Sequence, residues 1–577
     1  MCGIAGSLIL NNSDEVDINV SNKIKNSLKK RGPDGDNTWI SKDKKVSLIH
    51  TRLSIFDTSQ NGQQPMSDSE NKYMIVFNGS IFNYKELKFI KKKKSYKFKS
   101  NTDTEVILNL YKEKGIEFTK YLKGMYAIVI YDLIKKEIII TRDEIGIKPL
   151  YICWQNNTFY FSSLIKSLIL NNIKLKINQN SIINFYLYGH ISEPNTIYED
   201  IFALEPGSTL RVNSNGLKKI YQNDLFNKNS IYKSNSKNES LEYLNYQISK
   251  NINIQNRSDV KSGVFLSSGI DSSKILIHSK SYLDAININF EEYKNTKFDE
   301  SLLPKKLTKI TGHHLLSKWY TKNECLNIYE EYFENMDQPT MDGFNTFLAS
   351  KFASENNFKV VLSGLGGDEI FFGYNFYSYI AYIEKINKYL NKLKINFLFN
   401  NTYKIFKDNS KISKFFYVLS NSKNLRDIYF NFRKINYENA ITKLNNKFYI
   451  DGYENPNTNL DENNNSNLNN IKILEISNYI KNQLLKDSDW TSMSNGVELR
   501  VPLLNKKIIN FALFDPHISE LKKENIIQFN KNISKLLYKR KKTGFTTPLN
   551  KWYKTTRIQN TDFVLKKYLK INNLAIE

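Results

Sequence analysis

Cys2 is a small penultimate residue followed by Gly3, a context that permits removal of Met1 and leaves a thiol and a free α-amine on one residue. An α-amine of pKa about 7.7 to 8.0 is partly neutral near pH 7 and can take the thiol proton, directly or through water. Cys2 then carries both nucleophile and base. Alone, the triplet MCG is a weak signal, and a buried structural cysteine explains it better. A second segment, VFLSSGIDSS (264–273), sets small residues between an apolar strand and a helix. Backbone amides and Ser hydroxyls placed there can surround a phosphate at the positive end of the helix, although a Ser-rich turn is also a common N-cap. No GxxxxGK[ST] occurs, and SGLGGDE (363–369) lacks the third glycine of a dinucleotide fingerprint.

These residues need elements to hold them. Up to about residue 215 the chain consists of short apolar runs, CGIAGSLIL, KVSLIHTRLSIF, YMIVFNGSIF, YAIVIYDL, EIIITRD and FYFSS, separated by turn residues. Their Ile, Val, Tyr and Phe content and alternation predict half-buried strands, while DTEVILNLYKEK between them has helical spacing. Stacked sheets with helices outside are expected. From Tyr221 to about Glu239 the sequence turns polar, as a linker does. Beyond it, helix-like ESLEYLNYQISKNI, then KSGVFLS, a helix, AININF and later KVVLS give the βαβ rhythm of a parallel sheet. Residues from about 375 to 450 read as helical without a motif, and the Asn-rich stretch 454–470 reads as a mobile surface loop.

With 577 residues the chain exceeds one core and predicts two to four domains at roughly 150 residues each. A hydrophobic share of 40% and an aromatic share of 13% exclude a disordered chain. The net charge of +25 comes from Lys spread along the chain rather than gathered on one stretch, so nucleic acid is not an expected partner; the run Lys91 to Lys94 reads as a solvated edge. Three cysteines, Cys2, Cys153 and Cys325, lack metal spacing and fit a reducing compartment. No leader-like segment or apolar run of about 18 residues occurs, so a cytoplasmic protein without a membrane partner is expected.

RGPDG (31–35), HTRLSI (50–55), FNGSIFNY (77–84) and NTDTEVI (101–107), in this order behind MCGIAG, resemble the N-terminal-nucleophile (class II) glutamine amidotransferase domain. The resemblance implies that Arg52 pairs with the glutamine α-carboxylate, a geometry the planar guanidinium suits, and that Asp103 holds the α-ammonium. It also implies an oxyanion hole from Asn78 and the Gly79 amide, because a thiol attacking an amide builds negative charge on the carbonyl oxygen. Asparagine synthetases commonly carry Glu where this chain has Ser80, so one anionic contact to the substrate is expected to be missing.

In the second half VFLSSGIDSS resembles the SGGxDS pyrophosphate loop of enzymes that cleave ATP between its α and β phosphates, with Ser268 in place of the first glycine. FDES (298–301), DQPTMDGFNT (337–346), SGLGGDEIFFGY (363–374), NGVELRVPLLN (495–505) and RKKTGFTTPL (540–549) follow in the order found in the asparagine synthetase family. The resemblance puts ATP phosphates on Ser267, Gly269, Asp271 and Ser272, and Mg²⁺ on Asp271 and Asp368, whose hard oxygens suit that ion. It sets Leu266 and Ile288 beside the adenine, Ser363 and Gly364 near the nucleotide, and Lys542 against phosphate charge. Leu365 stands where these enzymes often have an acidic residue able to take a proton from ammonia.

The expected architecture is therefore an α+β glutaminase of stacked antiparallel sheets (αββα, residues 2–217), a linker (218–238) and an α/β synthetase with a parallel sheet of the ATP-pyrophosphatase type (239–577). The expected reaction hydrolyses glutamine at Cys2, passes ammonia internally to an ATP-activated aspartate and yields asparagine, glutamate, AMP and pyrophosphate. Glutamine, ATP and aspartate are the expected small-molecule partners, with a homodimer as the assembly considered. The alternative is a related enzyme amidating another carboxylate, on a peptide, antibiotic or surface-sugar precursor. An RNA-binding reading leaves the N-terminal motifs unexplained, and a non-catalytic homologue is separated from both by the Cys2→Ala variant.

Overall fold

The structure, a computed structural model, describes residues 2–574 apart from 12, 94–95, 172, 223, 229–230, 375, 394–410, 445–454, 456–465, 524–530, 539–545 and 554–555. Its first part holds strands β1 (Cys2–Ile9), β2 (Gly35–Ile40), β3 (Val46–Arg52), β4 (Met66–Ser67), β5 (Tyr73–Ile81), β6 (Gly124–Asp132), β7 (Glu137–Arg142), β8 (Tyr151–Gln155), β9 (Thr158–Ser162), β10 (Ile201–Ala203), β11 (Ser208–Asn213) and β12 (Gly216–Gln222). They form two antiparallel sheets, ordered β10-β8-β9-β1-β3-β2 and β12-β11-β7-β6-β5-β4.

Side-chain alternation fixes which face of each strand is buried where. Ile4, Leu8, Val46 and Leu48 of one sheet pack against Val76, Val129 and Ile140 of the other, while Ala5 and Ile49 point outward onto Ile24 of the helix Ile18–Ser27. Across the sandwich, Ile75, Phe77 and Ile128 point outward into a cluster with Val106 and Leu110 of the helix Asp103–Lys114. The layers are thus helix, sheet, sheet, helix, as the strand-like runs implied.

The second part carries five strands, β13 (Ser262–Phe265), β14 (Asp284–Phe290), β15 (Leu315–Tyr320), β16 (Val360–Leu362) and β17 (Glu498–Arg500), ordered β15-β14-β13-β16-β17. All four pairings are parallel. The chain moves outward from β13 to β14 and β15, then returns to pair β16 on β13's other edge. That reversal opens a crevice beyond the carboxyl ends of β13 and β16, the usual ligand position in such sheets.

Two sequence expectations need correction. Residues 218–222 belong to β12, where Leu210 pairs with Lys219 and Thr209 with Tyr221. β12 is a largely solvent-facing edge strand, so its polar composition mimicked a linker; the helix Lys237–Gln255 also starts inside the expected segment. The expected Asn-rich loop ends earlier than 470: Ser466 caps a helix, Asn467–Leu474, whose Asn470 is fully buried. Residues 454 and 456–465 of that stretch lie outside the described residues. Between 375 and 450 the described helices are Phe376–Leu393, Lys411–Asn421, Leu425–Arg433 and Glu438–Leu444.

Candidate active sites

The first candidate site lies at one end of the sandwich, where alternation sets Cys2, His50, Arg52 and Asn78 on the inner faces of β1, β3 and β5. Cys2 pairs with Arg52 in the β1–β3 register. Its backbone nitrogen donates to Asn78 Oδ1 at 3.1 Å, and its carbonyl accepts from Arg31 Nε at 3.3 Å. Asn78 is fully buried and its Nδ2 has no acceptor among the described residues, an uncommon state for a buried amide. Burial raises the Cys2 thiol pKa, against the terminal ammonium, the Leu53 backbone and the Arg52 charge, so the thiol needs a base. His50 is unsuited: burial, with the Arg52 charge adding, lowers its pKa to about 3.

Arg52 is anchored by donating to two loop carbonyls, Ser59 O at 2.6 Å from Nη1 and Asp57 O from Nη2. Two of its five N–H groups are thereby used. Asp103 opens the helix Asp103–Lys114 and accepts from the Ile81 amide at 2.9 Å. Burial raises its pKa to about 6; the Ile81 amide opposes this, and the charge of Glu498 adds to it. Gly79 has φ +153°, and a Cβ there would meet Met125 O at 2.1 Å, so the β5–β6 pairing requires glycine beside Asn78. Cys2, Arg52, Asn78, Gly79 and Asp103 are therefore gathered in one place, which the sequence order alone did not guarantee. Ser80 turns toward the second part of the chain, with Oγ 3.0 and 3.2 Å from the two carboxylate oxygens of Glu498.

Charged residues that sequence reasoning did not single out join the two parts. Arg31 Nη1 and Lys148 Nζ donate to the two oxygens of Asp489 at 2.7 and 3.0 Å, with all three side chains buried. Burial works against the Asp489 carboxylate, but the two cations more than offset it and hold its pKa below the usual range. Glu498 pairs with Arg500, which also donates to the carbonyls of Gln255 and Arg257.

The second candidate site is the crevice at the ends of β13 and β16. Leu266 is buried, and its amide bonds Ile286 O. Gly269 caps the helix Ile270–His278, with Asp271 in the first turn. Ser267 Oγ lies 3.2 Å from Ser272 Oγ and accepts from the Gly269 amide at 3.1 Å, which curls the loop around its own hydroxyls. Ser268 donates its amide to Glu300 of FDES at 2.6 Å, an acceptor that sequence reasoning left unnamed. Gly364 lies against this loop, since a Cβ on it would meet Asp271 Cβ and the Ser272 nitrogen, each at 2.7 Å, while Ser363 before it donates its amide to Arg500 O at 2.8 Å. Ile288 instead lines a pocket with Phe298, Glu300 and Trp319 beside the loop. Lys542 lies outside the described residues.

Asp271 and Asp368 converge on one cation, the buried ammonium of Lys523, which donates to both and is 2.6 Å from Asp368. Glycines press close on these carboxylates, since a Cβ on Gly367 or Gly373 would collide with Asp271 or Asp368 oxygens. Two carboxylates set this close together suit a divalent ion that takes its other ligands from phosphate and water. Among the described residues no group of three His, Cys, Asp or Glu side chains gathers as a metal site.

A cavity of about 250 Å³, partly open to solvent, adjoins this crevice and is lined by Gly364, Leu365, Asp368, Glu369 and Asp487. Asp487 also lines a narrow cavity between the two parts, with Ser163, His190, Thr340 and Asp489. Burial raises the Asp487 pKa to about 7, with the Asp342 charge adding; Thr340, Trp490 and Gln483 donate to it.

The sandwich with a cysteine at its first strand's tip matches the glutamine amidotransferase domain over residues 1–222. Residues 244–562 match asparagine synthase, and the chain belongs to the asparagine synthase family. It is 34% identical over 425 residues to "Putative asparagine synthetase [glutamine-hydrolyzing] 2" of Methanocaldococcus jannaschii, covering 68% of this chain and 79% of that one. It is 28% identical over 542 residues to "Asparagine synthetase [glutamine-hydrolyzing] 1" of Bacillus subtilis, covering 91% and 83%. "Amidase chry2" of Gibberella zeae is 26% identical over 366 residues, covering 60% and 54%. Among the described residues no helix is long and apolar enough to cross a membrane.

Proposed function

We propose that this chain is a glutamine-dependent asparagine synthetase in which β1–β12 form the glutaminase and the part from the helix Lys237–Gln255 onward forms the synthetase. The observation that carries the reading is the pairing of Cys2 with Asn78: one amide oxygen holds the Cys2 nitrogen while Nδ2 of the same side chain is left for a ligand. With Met1 removed, that nitrogen is the α-amine, and it takes the proton of a thiol whose burial disfavours the anion. The sulfur attacks the glutamine δ-carbonyl, and Asn78 Nδ2 and the Gly79 amide receive the developing oxyanion. Ammonia leaves, and water hydrolyses the thioester to glutamate. Arg52 binds the glutamine α-carboxylate and Asp103 its α-ammonium.

In the crevice, Ser267, Gly269, Asp271 and Ser272 receive the ATP phosphates at a helix N-terminus. Leu266 and Ile288 flank the adenine, Ser363 and Gly364 approach the nucleotide, and Lys542 offsets phosphate charge. Asp271 and Asp368 hold Mg²⁺, which supplies charge neutralisation at the phosphates. An acceptor carboxylate attacks the α-phosphorus and becomes an acyl adenylate as pyrophosphate leaves; ammonia then displaces AMP. The narrow cavity and the wider one share Asp487 in their walls, which supports enclosed transfer. Ammonia released to bulk water near pH 7 would be protonated and lose its nucleophilicity. With Leu365 in the acidic position, Asp487 is the carboxylate set to take the proton from ammonia.

Aspartate is the proposed acceptor, supported by the names of the two relatives that match most of the chain. The relative named an amidase and the exchange at Leu365 favour keeping another carboxylate as the second reading. Purified protein given glutamine, ATP, Mg²⁺ and aspartate is expected to form asparagine, AMP and pyrophosphate. Glutamate release without asparagine would favour the second reading.

A further inference from the structure

Ser80 stands where asparagine synthetases commonly carry Glu, a position at which the sequence implies a missing anionic contact, and its hydroxyl has a carboxylate partner of its own. The hydroxyl is buried, 1% exposed, and lies within hydrogen-bond distance of both Glu498 oxygens. Glu498 belongs to β17, 418 residues further along the chain and in the other sheet system. It is already bridged to Arg500, whose Nη2 donates to the same hydroxyl oxygen at 3.5 Å and takes one of its two lone pairs, leaving one for a ligand. The next residue, Ile81, gives its amide to Asp103, so both carboxylates meet the chain at neighbouring residues of one strand. A hydroxyl has one proton to donate and two lone pairs. Directed at a carboxylate, the proton leaves a polarised oxygen able to accept from an ammonium.

We propose that Glu498, acting through the Ser80 hydroxyl, completes the grip on the α-ammonium of glutamine, so that a synthetase strand forms part of the glutaminase pocket. This rests on the glutaminase reading above. Glu498 is a positioning residue: it touches Ser80 and not the reacting atoms. The pocket's completeness then depends on docking of β17 against β5.

The test compares wild type, Ser80→Ala and Glu498→Gln for glutamine hydrolysis, with 4-carbamoylbutanoate, which is glutamine without its α-amine, as a competitive inhibitor. Ser80→Ala leaves the Glu498–Arg500 pair in place and so guards against a folding defect in Glu498→Gln. The expected result is a KM for glutamine raised about tenfold or more in both variants, the range of one charge-assisted hydrogen bond, with kcat little changed. The Ki of the des-amino analogue is expected to stay at its wild-type value. Parallel weakening of glutamine and the analogue would mean a merely structural role and would overturn the proposal. Wild-type hydrolysis with neither variant altered overturns it alone, whereas a wild-type protein that hydrolyses no glutamine overturns the glutaminase reading with it.

Discussion

Cys2 sits in surroundings that make its thiol a poor nucleophile unaided, because burial disfavours the thiolate and His50 beside it is a weak base. The proposed chemistry therefore leans on the α-amine. The pocket around it should respond to acid through Asp103. With its pKa raised to about 6, Asp103 is a carboxylate above that pH and becomes neutral below it. The KM for glutamine is accordingly expected to be flat from pH 7 to 8 and to climb below about pH 6, by about tenfold per unit once the group is protonated. Initial rates of glutamate release across this range check it; a KM unchanged at pH 5 would remove Asp103 from the substrate. At this scale the sequence was informative where a motif carried the residue, as with Arg52, Asn78 and Asp103. It was silent about the contacts of Glu498 with Ser80 and of Asp489 with Arg31, which span 418 and 458 residues, because no local pattern announces a pairing made only by folding.

Strands β1, β3 and β5 do the positioning, and their alternation was readable because each has one face against the partner sheet and one against a helix. The polar edge strand β12 was misread for the complementary reason: with mostly solvent-facing side chains, it loses the apolar signal. The loop after β3 supplies a further requirement. A Cβ on Gly62 would meet Arg52 Nη2 at 2.1 Å, so this short helical turn must pass beneath the guanidinium with no side chain. Gly62→Ala is expected to displace Arg52 and raise the KM for glutamine about tenfold, leaving synthesis from added ammonia intact. Steady-state assays with the two nitrogen sources separate these effects. Equal losses with both would show that the change acts on the whole fold.

Across the whole molecule, the two parts are joined by a buried triad in which Asp489 receives Arg31 and Lys148. Removing its charge strands two buried cations, and breaking buried pairs of this kind costs about 3 to 5 kcal/mol. Asp489→Asn is therefore expected to lower the thermal unfolding temperature by several degrees, and calorimetry of the full chain checks it. Because Arg31 also holds the Cys2 carbonyl, the same variant should loosen coupling between the sites. The ratio of glutamate released to asparagine formed is then expected to rise above the wild-type ratio. The central claim is that nitrogen freed at Cys2 reaches the acceptor inside the protein. Its most direct test supplies glutamine with an isotopically labelled amide, together with ATP, Mg²⁺, aspartate and an excess of unlabelled ammonium. Wild type is predicted to place the label in asparagine despite the excess, while Cys2→Ala makes only unlabelled asparagine. Asparagine carrying unlabelled nitrogen from both proteins would contradict the account.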